Sequence, residues 1–454
     1  MESLAQQFLD HLEWLVSRRW FGDKARPVTD LSVDIADFVM CGKVPVILAI
    51  VRCEFEWGPA SAYFVPILAT PGPLPERDAT ANPAFLEWLV SGFAHEREVG
   101  GRWRWRRIGD DFPETEGLDY SRAKAIASEQ SNTSIVFDSA FIGKVFRKVQ
   151  PGLNPDLEIA EHIMRGGTFH HVPELYGVIE LWQDGARTDI LAVQQFVANI
   201  GDGWSWMLHE LAQPERRDAL VHDVALLGTR TAEMHLALSA DLGDDAFAPE
   251  TVGCDQAEAI IQRVIAEMEG SVEGLSHVLG PERVERLHKG LGAMMGDAWS
   301  MVGTALIRVH GDYHLGQTLR TQHDDFAIID FEGEPSRSMD ERRQKLPALK
   351  DVAGMLRSLD YAAATLTQQY PEQKQELADW VETASDAFVA AYRQAITATT
   401  VPLVPTDDAA FASVLNLMIA EKALYETRYE MNNRPDWLGI PLGALLRLVG
   451  IEEG

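Results

Sequence analysis

Three oxygen-bearing side chains in the C-terminal half are spaced as a phosphoryl-transfer site requires. Asp312 lies within the segment HGDYHLGQ, Gln317 follows five residues later, and Asp330 stands thirteen residues beyond Gln317, after an apolar run. A carboxylate can orient and deprotonate an attacking hydroxyl, and two further oxygen ligands can hold Mg²⁺ on the phosphates of ATP. Magnesium favours carboxylate and amide oxygens over sulfur or imidazole. The spacing predicts Asp312 as the base and Gln317 and Asp330 as metal ligands.

The neighbours of Asp312 are more ambiguous. An aspartate after a glycine is most often a turn residue, but the matching offsets downstream favour the chemical role here. His310 is expected to brace the catalytic loop through a backbone hydrogen bond. His314 faces either the acceptor or the loop interior, and Glu332 either accepts hydrogen bonds from acceptor hydroxyls or is solvated.

Upstream, Lys144 lies in the segment GKVF, in the middle of a predicted strand with apolar neighbours. A lysine there can reach the α- and β-phosphates of ATP if a carboxylate steadies it. Glu158, early on the next predicted helix, is the expected partner, and Glu161 is the second choice. The ordinary alternative is a solvated lysine on an edge strand, but the position upstream of the HGD motif favours the nucleotide role.

The turn over the phosphates and the hinge at the adenine are less distinctive. No glycine-rich loop precedes the strand of Lys144. A run of hydroxyl and amide side chains stands there instead, and such groups can donate to phosphate oxygens. We therefore expect cofactor contacts from Ser131, Asn132, Thr133 and Ser134. The segment QFV, which closes the last predicted sheet strand, is the expected hinge, with Gln195 and Val197 at the adenine edge.

Composition limits the class of protein. The 454 residues exceed a single core and predict two or three units. A net charge of −29 argues against general binding to nucleic acid or to an anionic membrane. Three distant cysteines form no metal pattern, which predicts a reduced, cytoplasmic protein. The amphipathic N-terminus does not resemble a signal peptide, and the longest apolar run, Val44 to Val51, is too short to span a bilayer.

The order of predicted elements favours an α+β, bilobal, protein-kinase-like fold. Strands over 133–137 and 141–149, a helix opening at Asn154 and strands over 172–181 and 189–197 match an antiparallel-sheet N-lobe with one helix. Beyond about residue 199 long helical periods predominate, interrupted by short strands that carry the catalytic motif. This second half is expected to be a mostly helical C-lobe.

Several segments together resemble one known family. HGDYHLGQTLR, IIDFEGEP, DERR and LKDVAGMLRSLDYAA strongly resemble the bacterial maltokinases, which are relatives of the aminoglycoside phosphotransferase kinases. The segments RRWFGDKAR, EQSNTSIVFD, KVFRKVQPGLNPDLEI and YETRYEMNNRPDWLGIPL are similar to that family too. The likeness spans nearly the whole chain, and it implies an N-terminal cap subdomain over 1–95, an N-lobe over 96–198 and a C-lobe over 199–454.

The resemblance also implies an activity. Maltokinases transfer the γ-phosphate of ATP to the anomeric hydroxyl of maltose, and the maltose 1-phosphate serves α-glucan (glycogen) synthesis. Asp312 is then the implied base, Gln317 and Asp330 the implied magnesium ligands, and Lys144 with Glu158 the implied phosphate clamp. Some members are fused to a trehalose synthase. We expect this chain to be stand-alone and leave a separate trehalose synthase partner open.

A sugar pocket needs polar groups for paired hydroxyls and an aromatic plate for the apolar face of the ring. The predicted helix near the C-terminus offers both, and residues four apart share one helical face. The expected sugar contacts there are Tyr425, Glu426, Glu430 and Trp437, together with His314 and Glu332. The ordinary alternative is that the aromatics are core and the glutamates face solvent.

Two other functions stay open at this point. A kinase for another small sugar, such as glucosamine, would use the same catalytic parts, and an acidic pocket would suit an amine. From a different class, the chain could be a catalytically silent, nucleotide-binding scaffold. Intact Lys144, Asp312 and Asp330 weigh against the scaffold.

Overall fold

The computed structural model describes residues 2–109, 111–126, 132–335, 337–397 and 402–451. Within them the chain forms two compact units. Unit 1 comprises Met1–Glu161 and Pro173–Ala198, and unit 2 comprises His162–Val172 and Asn199–Gly454. The boundary predicted near residue 95, between cap and N-lobe, lies inside unit 1 and stays a prediction.

Unit 1 is built around two antiparallel sheets. Its helices are α1 (Glu2–Asp10), α2 (Leu12–Ser17), α3 (Pro83–Ser91) and α4 (Pro155–Gly166), which continues into the first segment of unit 2. Its strands are β1 (Val28–Cys41), β2 (Val44–Phe55), β3 (Ser61–Phe64), β4 (Ile67–Leu68), β5 (Glu98–Val99), β6 (Trp103–Arg107), β7 (Lys124–Ala125), β8 (Asn132–Phe137), β9 (Phe141–Phe146), β10 (Lys148–Val149), β11 (Leu175–Gln183) and β12 (Ala186–Gln195).

The first sheet has the order β1-β2-β3-β10, with β4 on β2. Alternate residues of β1, Leu31 and Val33 among them, pack against Phe8 and Leu15 in one hydrophobic core. The sequence predicts one strand from Ser61 to Leu68, but the structure divides it into β3 and β4. Pro66 lies at the break, where a residue without a backbone N–H interrupts the ladder.

The second sheet has the order β5-β6-β11-β12-β9-β8-β7. Arg147, between β9 and β10, joins it to the first sheet. The buried guanidinium of Arg147 donates to Thr80 Oγ1 at 2.8 Å and, through Nε, to Thr133 Oγ1 at 2.9 Å. The guanidinium also forms an ion pair with Asp78 at 3.3 Å. This side chain therefore connects the start of β8 to the N-terminal part of the unit.

Unit 2 is mostly helical. Its further helices are α5 (Gly203–Leu211), α6 (Arg217–Leu238), α7 (Cys254–Leu279), α8 (Pro281–Asp297), α9 (Met339–Arg342), α10 (Leu349–Gln369), α11 (Lys374–Ile396), α12 (Asp408–Asn433) and α13 (Gly439–Leu448). Two small sheets, ordered β13-β16-β17 and β14-β15-β18, carry the segments that are predicted to be catalytic. Their strands are β13 (Asn199–Asp202), β14 (Glu250–Thr251), β15 (Ala305–Ile307), β16 (Thr318–Thr321), β17 (Phe326–Ile328) and β18 (Leu346–Pro347).

Every helix in the described ranges is either too short or too polar to cross a membrane.

Candidate active site

The loop between β15 and β16 is hydrogen-bonded to one buried carboxylate. Asp351, in the first turn of α10, accepts the backbone N–H of His310 at 2.8 Å and that of Gly311 at 3.0 Å. Its Oδ2 also accepts Nε2–H of His235 at 3.1 Å. Gly311 has φ of 85°, a left-handed conformation that favours glycine. The carboxylate and the glycine together set the direction in which Asp312 leaves the loop.

His310 connects this loop to the segment that carries Asp330. Its Nε2 lies 2.9 Å from the carbonyl of Ile329, and the backbone N–H of Asp312 lies 3.4 Å from its Nδ1. Since a carbonyl only accepts, Nε2 carries the proton and Nδ1 is the acceptor. The bracing role expected of His310 is therefore present.

The two predicted metal ligands contact each other. Gln317 Nε2 donates to Asp330 Oδ2 at 3.1 Å. Asp330 has φ of 67°, a left-handed conformation that few non-glycine residues adopt. One carboxylate and one amide, partly exposed at the ends of neighbouring strands, form an oxygen set that fits Mg²⁺. Their role as ligands stays a prediction.

Lys422, on α12, is the cation next to the predicted base. Its Nζ lies 3.5 Å from Asp312 Oδ1 and 3.3 Å from Glu334 Oε1. Burial alone would lower the pKa of Lys422, but Asp312, Glu334 and Glu426 raise it above its ordinary value. Burial likewise opposes ionisation of Glu334, yet Lys422, Lys350 and Arg337 lower its pKa to about 2. Both groups are therefore charged at neutral pH.

His314 is engaged with its own loop. Its Nδ1 accepts the backbone N–H of Gly316 at 3.0 Å. Burial lowers the pKa of His314 below its ordinary value, although the charges of both Asp312 and Asp330 act in the opposite direction. A contact from His314 to sugar stays a prediction, as does one from Glu332, which is partly exposed.

The two glutamates of α12 that are expected to contact sugar accept hydrogen bonds from other side chains. Glu426 Oε2 accepts from the buried Arg357 at 2.8 Å, and Glu430 accepts from Arg434 at 2.6 and 2.9 Å and from the Tyr361 hydroxyl at 3.1 Å. The solvent-facing alternative for these two residues is wrong. Arg357 and Tyr361 are distant from α12 in sequence, so the sequence could not identify them as partners. Arg434 is four residues from Glu430, but that spacing alone does not show that the two side chains pair.

The aromatic side chains near the end of α12 differ in exposure. Tyr425 is partly buried under Lys422, whose Nζ is 5.3 Å from the ring centroid. Tyr429, four residues further along α12, is 45% exposed. Trp437 stacks on Tyr361 at 6.2 Å between centroids. Tyr425 and Trp437 therefore offer flat apolar surfaces within unit 2, and their role as sugar plates stays a prediction.

Lys144 in unit 1 has an acidic partner two residues before the expected one. Its Nζ donates to Asp156 Oδ2 at 2.9 Å, and both side chains are buried. Asp156 and Glu158 both lie in the first turn of α4, whose start is fixed by Asn154 Oδ1 accepting the N–H of Asp156 at 2.9 Å. β9 is hydrogen-bonded on both sides, by β12 and β8, so the edge-strand alternative is wrong. Sequence reasoning missed Asp156, and the clamp with Glu158 stays a prediction.

The expected phosphate turn is only partly where the sequence places it. Ser131 lies outside the described residues, whereas Asn132, Thr133 and Ser134 open strand β8 instead of forming a turn. Ser134 pairs in register with Lys144 in the ladder between β8 and β9. The side-chain hydroxyl of Thr133 accepts a hydrogen bond from Arg147. Thr133 is thus a strand residue rather than part of a phosphate-covering turn.

At the predicted hinge, the backbone N–H of Gln195 donates to the Glu174 carbonyl at 2.8 Å. Its side-chain carbonyl accepts the N–H of Glu174 at 3.4 Å. The N–H of Gln195 is therefore used by the sheet, which removes it as a donor to adenine. Contacts from the rest of the hinge, including Val197, stay a prediction.

A close backbone approach gives a direct test of how the loop is positioned. A Cβ at Gly354 on α10 would lie 2.5 Å from the carbonyl oxygen of Tyr313. We expect Gly354→Ala to displace the loop that bears Asp312 and to lower kcat by about tenfold or more, since small displacements of positioned groups have such effects. Gly292→Ala on α8, which meets nothing within 4 Å, is the matched control and should retain kcat with slightly greater stability. Equal kcat for both variants would contradict the expected positioning.

The chain is similar in sequence to several known proteins. Residues 14–100 match the family model described as the maltokinase N-terminal cap domain. A curated glucosamine kinase from Streptacidiphilus jiangxiensis is 28% identical over 327 residues, covering 70% of this chain and 71% of that protein. A second, from Mycolicibacterium smegmatis (strain ATCC 700084 / mc(2)155), is 28% identical over 337 residues, covering 73% and 80%.

Solved structures of a glucosamine kinase are similar over nearly the full length. Crystal form B has a TM-score of 0.70 at 23% identity and covers 96% of this chain and 97% of its own. The complex with glucosamine, ADP and inorganic phosphate has a TM-score of 0.68 at 23% identity, covering 96% and 98%. The fold is the kinase-like bilobal fold with an N-terminal cap domain. The chain is a phosphotransferase with an alcohol group as acceptor.

Proposed function

We propose that this protein is a sugar kinase that transfers the γ-phosphoryl group of ATP to the anomeric hydroxyl of maltose. The products are maltose 1-phosphate and ADP, and the sugar phosphate would serve α-glucan synthesis. A trehalose synthase is the partner that the maltokinase resemblance suggests. The match of residues 14–100 to the maltokinase cap supports this choice.

In the proposed reaction Asp312 accepts a hydrogen bond from the sugar hydroxyl and takes its proton as the bond to phosphorus forms. Gln317 and Asp330 would hold Mg²⁺, which neutralises charge on the nucleotide phosphates. Lys144, steadied by Asp156 at 2.9 Å, would bind phosphate oxygens. Nucleotide use is supported by the glucosamine kinase solved with ADP and inorganic phosphate.

The choice of a neutral sugar rests on one observation, the ion pairs that carboxylates of unit 2 already form. Glu334, Glu426 and Glu430 each form an ion pair with a lysine or arginine of the same unit. Because these carboxylates already have cationic partners, an ammonium on the acceptor gains less from them than from unpaired carboxylates, whereas sugar hydroxyls can add hydrogen bonds to paired carboxylates.

A glucosamine kinase is the second candidate, because both curated relatives carry that name. The test is ADP release with maltose, glucose, glucosamine and trehalose, with ³¹P spectra to locate the phosphate. We expect the highest kcat/KM for maltose and an anomeric phosphate. Phosphorylation of glucosamine without maltose would select the second candidate. ATP binding without ADP release for any sugar would indicate a silent scaffold.

A further inference from the structure

Lys422 places a fixed positive charge beside the predicted base. Its Nζ lies 3.5 Å from Asp312 Oδ1, and the two side chains keep 19% and 22% of their surface exposed. Its second partner, Glu334, is only 4% exposed. Asp312 and Lys422 are therefore the members of this cluster that a substrate can reach, and Glu334 is its buried member.

The surrounding carboxylates are already matched by other cations. Glu334 also pairs with Arg337. Glu421 Oε1 lies 2.9 Å from Arg263 Nε, and its Oε2 lies 3.5 Å from Lys350 Nζ. Glu334 and Glu421 therefore have cationic partners other than Lys422.

We infer that Lys422 is a specificity-determining residue that excludes cationic acceptors, amino sugars above all, from the site at Asp312. The inference deepens the proposed sugar-kinase function and rests on it. Lys422 acts directly on the acceptor, through its charge and its three N–H donors.

The physical reason is the distance between the reacting hydroxyl and an amine. In glucosamine the ammonium is on the carbon next to the anomeric carbon, and Lys422 Nζ lies 3.5 Å from Asp312 Oδ1. If Asp312 holds the anomeric hydroxyl, the ammonium is therefore within reach of the lysine. Two like charges a few ångströms apart at a partly buried site repel strongly. A hydroxyl at the same carbon can instead accept a hydrogen bond from the lysine. The lysine should thus favour the neutral sugar by about 10- to 100-fold.

The experiment compares glucose with glucosamine, which differ at carbon 2 alone, in Lys422→Met, Lys422→Gln and Lys422→Arg. Each sugar is assayed as a substrate and as a competitive inhibitor of maltose phosphorylation. We expect the glucosamine-to-glucose ratio of kcat/KM, or of inverse inhibition constants, to rise about 10- to 100-fold in the Met and Gln variants. Lys422→Arg should keep the wild-type ratio because it keeps the charge.

Lys350→Met is the matched control. It removes a half-buried cation of the same cluster that pairs with Glu421 rather than with Asp312, and it should leave the ratio unchanged. A purely structural role for Lys422 would lower activity toward both sugars alike, and an unchanged ratio in the Met and Gln variants overturns the inference. Equal wild-type use of both sugars also overturns it. Failure of wild-type protein to phosphorylate any sugar refutes the proposed function instead.

Discussion

Asp312→Asn should abolish most turnover while leaving nucleotide binding intact. The amide keeps the size of the side chain but cannot take the proton of the sugar hydroxyl, and we expect kcat to fall by about 10³-fold or more. Binding of ATP depends on other residues, so its dissociation constant should stay within about threefold of wild type, as read by calorimetric titration.

The fold should tolerate this substitution. Lys422 loses Asp312 but retains Glu334 at 3.3 Å, so no buried ammonium is left without a counter-charge. Asp324→Asn is the matched control: its carboxylate is 92% exposed in the turn between β16 and β17, and asparagine accepts its φ of 56°. Turnover by Asp312→Asn within tenfold of that control would remove Asp312 from the role of base.

Local spacing was enough to predict that Gln317 and Asp330 lie close together. Asp312, Gln317 and Asp330 lie on two short connections around one small sheet, so their separation in sequence nearly determines their separation in space. The observed contact between Gln317 and Asp330 follows from that geometry. Lys144 was predictable for a similar reason, since its apolar neighbours placed it within a strand.

Residues that reach the site from distant helices could not be predicted this way. Lys422 and Asp351 meet the catalytic loop only because α12 and α10 pack beside it, and no periodicity shows which polar residue of a helix faces a loop. Asp156 was missed for a subtler reason. It shares the first turn of α4 with Glu158, and the choice between them depends on side-chain direction rather than on sequence.

Other omissions had a readable signal. Leu31, Val33 and Ile35 alternate with more polar residues, which is the period-two pattern of the long strand β1. Leu377, Trp380, Ala384, Phe388, Tyr392 and Ile396 recur at helical spacing along α11. The same periodicity rules that located their neighbours predict both elements. The contacts between the glutamates of α12 and their arginine partners could be recognised only from the tertiary structure.

The second large effect is expected at Asp351, on stability as well as activity. Its two oxygens accept three donors, the N–H groups of His310 and Gly311 and Nε2–H of His235. In Asp351→Asn one of those oxygens becomes an NH₂ group that opposes a donor. A buried donor left in this way destabilises by about 3 kcal/mol, and we expect a lower urea midpoint together with reduced kcat, because Gly311 precedes the base.

The pH dependence distinguishes this carboxylate from an ordinary buried acceptor. Burial alone would raise the pKa of Asp351, but the hydrogen bonds from His235 and from the N–H of Gly311 hold it below its ordinary value. A lowered folded-state pKa means that the stabilisation is fully present above the unfolded pKa of about 3.9 and is lost as pH falls through the folded value. The difference in urea midpoint between wild type and Asp351→Asn should therefore be largest near pH 7 and shrink below pH ~4.

Ser358→Ala on the same helix is the control. It removes the acceptor of the Leu315 N–H at 3.1 Å and should lower stability by about 1 kcal/mol without this pH dependence. An Asp351→Asn protein as stable as Ser358→Ala at pH 7 would show that the carboxylate does not hold the loop.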